Sequence, residues 1–168
     1  MMAVSADTVK KLRDLTGAGV LDCKKALEEA GGELEKAKEI LRQRGAAIAQ
    51  KKAAQETRQG LVEAYIHPDG RLSALVELNC QTDFVARTDG FRALAHDLAM
   101  QVAATDPQHI ALDELPAGSD GNPQELCLLA QPFIRDPSRT VEDIINEIIA
   151  KTGENIRVRR FARFHLGR

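Results

Sequence analysis

The sequence predicts an α+β fold, and three observations carry that prediction. Apolar residues recur at helical spacing through the first part of the chain and are punctuated by glycines. A period-two pattern then takes over on both sides of Pro68-Asp69-Gly70, which reads as the turn of a hairpin. A second alternating run, Ile156 to Leu166, closes the sequence after further helical stretches, so an antiparallel sheet covered by helices is expected.

Taken in order, Ser5 or Asp7 caps a first helix with Val9, Leu12 and Leu15 on one side, and Thr16-Gly17-Ala18-Gly19 breaks it. A second helix starts near Leu21 and carries Cys23, Ala26 and Leu27 to a stop at Gly31-Gly32. Leu34, Ala37, Ile40 and Leu41 mark a third, ending towards Gly45. Residues 46–58 have good helix propensity but few large apolar groups, so a helical linker outside either core is expected there. The implied organisation is a three-helix module over 1–45, that linker, and a core over 59–168.

Within the core, strands run from Leu61 to His67 and from Arg71 to Asn79, with Leu72, Ala74, Val76 and Leu78 at period two. The second strand stops at a polar Gln81-Thr82-Asp83. Thr82 is a plausible N-cap, which puts Asp83, Phe84 and Val85 into a first helical turn. Thr88 caps a longer helix bearing Phe91, Leu94, Leu98 and Val102, ended by Asp106-Pro107. The stretch 113–124 is dense in turn formers and predicts an exposed, mobile loop. Beyond it come an apolar run around Gln131-Pro132, a helix from Thr140 with Ile144, Ile145, Ile148 and Ile149, a stop at Gly153, and the last strand. That strand sets Ile156, Val158, Ala162, Phe164 and Leu166 against Arg157, Arg159, Phe161, Arg163 and His165.

Two long stretches carry a resemblance. Glu77-Leu-Asn-Cys-Gln-Thr-Asp-Phe-Val-Ala-Arg87 and Leu12-Arg-Asp-Leu-Thr-Gly-Ala-Gly-Val-Leu-Asp-Cys-Lys-Lys-Ala-Leu27 are similar to the central and N-terminal signatures of the bacterial elongation factor Ts family. Gly153-Glu154-Asn155-Ile156 and Arg159-Arg160-Phe161 fit the same family. The resemblance implies a ubiquitin-associated-like fold for the three-helix module and guanine-nucleotide exchange on elongation factor Tu as the function. It also implies a short form, because family members usually carry a longer helical insertion where this chain has 113–124.

Composition bounds the alternatives. With 23 Lys+Arg against 25 Asp+Glu the formal net charge is −2, short of the basic excess that phosphate neutralisation favours. No direct nucleic-acid partner is expected on that balance. No apolar run is long enough to cross a bilayer, so a cytoplasmic protein without a membrane partner is expected. Cys23, Cys80 and Cys127 are odd in number and widely spaced, which suggests neither a disulfide framework nor a zinc site. His67, His96, His109 and His165 are scattered, so no enzyme, cofactor or metal is expected. Gly17-x-Gly19 is not a nucleotide loop either, since a helix precedes it and Asp22 stands where a third glycine would.

Two candidate contact sites remain. On residue types alone, Asp83 favours a helix N-terminus and Phe84 fills a core gap; the resemblance implies instead that Thr82, Asp83, Phe84 and Val85 insert into elongation factor Tu near the magnesium side of its nucleotide pocket. The Leu12 to Leu27 block is either an ordinary helical corner or, as the resemblance implies, a second contact through Val20, Leu21 and Lys24 with the GTPase in its GDP-bound or nucleotide-free form. The runner-up function is RNA binding in translation through the arginine face of the last strand, with Phe161 among Arg157, Arg159 and Arg163. A homodimer through an exposed sheet face or edge stays open beside a one-to-one complex.

Overall fold

A computed structural model describes residues 4–167 of the chain. Three helices come first: α1 (Ala6–Thr16), α2 (Val20–Glu29) and α3 (Leu34–Lys52). The Ser5 hydroxyl starts α1 by accepting from the Thr8 amide at 3.2 Å, and Gly17 ends it in the left-handed region at φ 67°. Leu12, Cys23, Ala26, Leu27 and Ala37 close a small core among the three.

Helix α3 does not stop towards Gly45; it continues to Lys52. Gly45 is helical and sits where α3 crosses a later helix, and a side chain there would meet the Asn146 carbonyl at 3.6 Å and the Ala150 Cβ at 4.0 Å. The glycine makes room for a crossing rather than ending a helix. Beyond it, Ile48 and Ala49 pack against the second, larger core. Their burial explains why residues 46–52 continue the helix although they carry few large apolar groups.

A three-stranded antiparallel sheet follows, in the order β1 (Gln59–Ile66), β2 (Leu72–Cys80), and the last strand, which pairs β2 on its far side. Ala74, Val76, Leu78 and Cys80 turn one face inward and are fully covered. After β2 come the single turn α4 (Asp83–Ala86) and the long α5 (Asp89–Thr105), whose Phe91, Leu94, Leu98 and Val102 lie on that face. The turn-rich stretch contains a 3₁₀ turn at Leu112–Glu114 and the short α6 (Pro123–Leu126), and a small hairpin of β3 (Pro132–Phe133) and β4 (Asp136–Thr140) follows. Gln101, fully buried on α5, ties this region down: its Nε2 donates to Gln131 Oε1 at 3.0 Å and its Oε1 accepts from the Ile134 amide at 2.7 Å. Helix α7 (Val141–Thr152) starts with a reciprocal capping box between Thr140 and Asp143 and ends at Gly153, leading into β5 (Ile156–His165). The α+β architecture expected from the sequence is the one observed.

The last strand departs from simple alternation. Leu78 pairs with Val158 but Glu77 pairs with Arg160, so Arg159 is an extra residue in a bulge. One extra residue exchanges the faces. Ile156 and Val158 are buried before the bulge, whereas after it Phe161 packs against the core and Arg163 turns inward, its Nε donating to the Ala103 carbonyl at 2.9 Å. Ala162, Phe164 and Leu166 take the outer side. The expected arginine face is therefore broken: Arg157, Arg159, Phe161 and Arg163 do not share one surface, and Arg160 is paired with Glu77 at 2.6 Å. The RNA-binding alternative loses the platform on which it rested.

Candidate partner-binding site

The stretch Gln81–Arg87 forms a corner between β2 and α5. Thr82 is extended at φ −123° and ψ 155°, and its hydroxyl oxygen faces the Val85 amide at 3.5 Å, the geometry of an N-cap. In the single turn that follows, the side chains part company. Val85 and Ala86 are buried in the larger core, while Phe84 is 80% exposed. Asp83 is half exposed and pairs with Arg87 one turn on, at 2.8 Å. The core-gap account of Phe84 is thereby excluded, because the ring does not enter the chain's own interior.

Cys80 lies directly behind the tip. It is fully covered, its Sγ donates to the Thr82 carbonyl at 3.1 Å, and burial pushes its thiol up to about 11, so it is a neutral packing group at ordinary pH. Sequence reasoning gave no role to Glu154, and the structure sets it against the same corner. Its Oε2 accepts from the Gln81 and Thr82 amides at 3.1 and 3.0 Å, and its Oε1 accepts from the Thr82 hydroxyl at 2.6 Å. Nothing in local spacing pointed there, since more than 70 positions separate the partners; the only signal was that Glu154 fell in one of the resembling stretches.

In the N-terminal helices, Gly17 to Gly19 joins α1 to α2, close to Glu147 of α7. Val20 and Leu21, the first residues of α2, are 51% and 71% exposed, and Lys24 one turn on reaches water beside Glu28 at 3.9 Å. Leu15, expected on the buried stripe of α1, is instead half exposed and borders the same corner. Three apolar side chains in water within seven positions are more than a lone surface leucine. The two candidate sites border different hydrophobic clusters.

Among the described residues, no group of three or more His, Cys, Asp or Glu side chains is placed to hold a metal ion. Nor is any helix among them long and apolar enough to cross a membrane.

Comparison with known proteins agrees with the two signatures. The family model described as "Elongation factor TS" matches residues 5–119, most of the chain. Proteins named elongation factor Ts from Thermotoga petrophila and Carboxydothermus hydrogenoformans are 48% and 47% identical, covering 99% and 98% of this chain and 98% and 89% of their own lengths. That from Coprothermobacter proteolyticus is 46% identical over 99% of this chain and all of its own length. The chain belongs to the elongation factor Ts family. Membership makes it a translation elongation factor of the exchange-factor class. The alignment with the Thermotoga relative runs over 194 positions, more than the 168 residues present, so this is a short form even beside short relatives. The family match ends at Ser119, inside the turn-rich stretch.

Proposed function

We propose that the chain binds elongation factor Tu in its GDP-bound and nucleotide-free forms and expels GDP by using Phe84 as a wedge. The observation that carries the reading is the contrast within α4, where the ring stands in water while its neighbours Val85 and Ala86 are buried. A phenyl side chain held out by its own fold retains ~2 kcal/mol of apolar burial for a partner. On this reading Asp83 and Phe84 make the contact, Thr82 caps the turn that presents them, and Val85 anchors the turn from beneath.

The target has little tolerance for such a wedge. A bound GDP depends on amides around its phosphates and on Mg²⁺, whose octahedral shell accepts little distortion, so displacing the groups that support the ion loosens the nucleotide. No bond is made or broken, and the exchange factor needs no metal or cofactor of its own. Factor and GDP compete through one conformational equilibrium, so each weakens the other by the same ratio. Stopped-flow release of fluorescent GDP from elongation factor Tu tests the wedge. Phe84→Ala should slow factor-stimulated release by on the order of tenfold or more, and a wild-type rate constant would remove the wedge.

Val20, Leu21 and Lys24, with Leu15 beside them, form the second contact in this reading, engaging the same GTPase from the small module. We propose a second copy of the chain as a further partner, for the exposed outer face of the sheet. Val62, Ile66, Leu75 and Phe164 all point away from the helices, and the register brings Ile66 and Phe164 to either side of Ser73.

A further inference from the structure

We propose that Glu154 is a positioning residue for exchange: it clamps the corner that carries Phe84 and so sets where the ring points. The inference rests on the wedge reading and adds to it a part of the chain that no contact role touches. A helix of one turn is not stable by itself, because fixing its dihedrals is not repaid by the single hydrogen bond it closes. Something outside α4 must hold it, and Val85 and Ala86 hold only its inner side.

Glu154 holds the other side. One carboxylate oxygen takes the Gln81 and Thr82 amides, and the second takes the Thr82 hydroxyl at 2.6 Å, a short charge-assisted bond. That last bond has a directional consequence. A hydroxyl has one proton, so spending it on Glu154 leaves the Thr82 lone pairs for the Val85 amide, the first turn's own cap. The rotamer of Thr82, and with it the start of α4, is thus set by a side chain from the far end of the core.

Glu154 is itself held in place. Gly153 ends α7 at φ 72° and turns the chain towards the corner. Asn155, 2% exposed, donates its backbone amide to Gln81 Oε1 at 2.9 Å and its side-chain amide to the Ala53 and Gln55 carbonyls at 3.3 and 2.7 Å. The segment from Gly153 to Asn155 therefore ties together the end of α7, the exit from α3 and the Phe84 tip. Without the carboxylate, two amides and a hydroxyl at the corner lose their acceptor, and α4 has alternatives to its present orientation.

Four full-length proteins test this: wild type, Glu154→Ala, Phe84→Ala and the double variant. Each is measured for GDP release from elongation factor Tu across a range of factor concentrations, and for amide hydrogen exchange at Gln81 and Thr82. Glu154→Ala should lower the saturating release rate constant on the order of tenfold while moving the half-saturating concentration far less. The Gln81 and Thr82 amides should exchange faster. Glu154→Gln, which keeps a carbonyl acceptor for the amides and an NH₂ able to donate to the Thr82 oxygen, should recover most of the rate. In the Phe84→Ala background Glu154→Ala should change release no further, because a clamp acts only through the ring it aims.

An equal fall in both backgrounds would overturn the proposal, since the carboxylate would then act apart from Phe84. Unchanged protection of the two amides in Glu154→Ala would overturn it as well. The wedge reading fails on a different result, a wild-type rate for Phe84→Ala alone, and amide exchange then decides the clamp by itself. Should Glu154→Ala melt below the assay temperature, Glu154→Asp takes its place, its carboxylate one methylene too short to reach amides and hydroxyl together.

Discussion

At the scale of single residues, the protein separates groups that fold it from groups it leaves over. Phe91 and Phe84 are the same side chain seven positions apart, one fully buried and the other in water. Truncating Phe84 should therefore leave stability within about 0.5 kcal/mol, the usual range for an exposed position, so a loss of exchange in Phe84→Ala would report contact and not folding. The same reasoning applies to Leu21. Leu21→Ser should leave the thermal midpoint close to wild type, and calorimetric titration of elongation factor Tu should show affinity weakened on the order of tenfold if the side chain is covered in the complex. Equal affinity would take the α1–α2 corner out of the interface.

At the scale of elements, the seam between α3 and α7 joins the small module to the core. Arg42 on α3 reaches Asp143 on α7 at 3.1 Å, Arg139 donates to Glu147 at 2.6 Å, and a side chain at Gly17 would come within 3.1 Å of the same glutamate. Burial pushes the Glu147 carboxyl above its ordinary 4.5, against the opposing pull of Arg139 and Lys151. The folded state then keeps this proton to higher pH than the unfolded chain does. Between 4.5 and the raised folded value the folded state binds more protons, so stability falls as pH rises through that window. Glu147→Gln should remove this slope. Melting temperatures of the two proteins should diverge in the variant's favour as pH climbs above 4.5 and then run parallel; a constant difference across the window would count against a raised Glu147.

The elements also show how far the sequence could be read. Caps and stops were legible because they are local: Ser5, Thr82, Thr88, Thr140, Gly17 and Gly153 all do what their chemistry suggests. Gly45 misled, since a glycine that ends a helix and one that lets two helices cross are the same letter, and only α7 tells them apart. The alternation of β5 misled after Val158 because a bulge is a property of the pair, visible only once β2 sets the register. At the site, Phe84 was visible by resemblance while its exposure was not, and Glu154 was out of reach because nothing in a linear chain marks a bond across 72 positions. Val85, which the resemblance places at the contact, is buried, in keeping with a residue that fixes the turn from inside.

For the whole molecule, the sheet is covered on one face only. Helices α5 and α7 close the inner side, and the outer side leaves Val62, Ile66, Leu75, Phe164 and Leu166 to solvent. A sheet face with this many exposed apolar side chains, broken by Ser73 and the Glu77–Arg160 pair, is a place for another protein surface. If the occupant is a second copy, sedimentation should give a species of twice the chain's 18.4 kDa, and Phe164→Asp should return it to the monomer without lowering the thermal midpoint. A wild-type monomer at every concentration tested would assign that face elsewhere.

Helix α3 runs without a break from one hydrophobic cluster into the other. A rod anchored at both ends fixes the span between Leu21 and Phe84 much as the frame of a caliper fixes its jaws. On the proposed two-site docking, a GTPase gripped by both jaws would meet a preset opening, and the strain of fitting it would fall on the looser body.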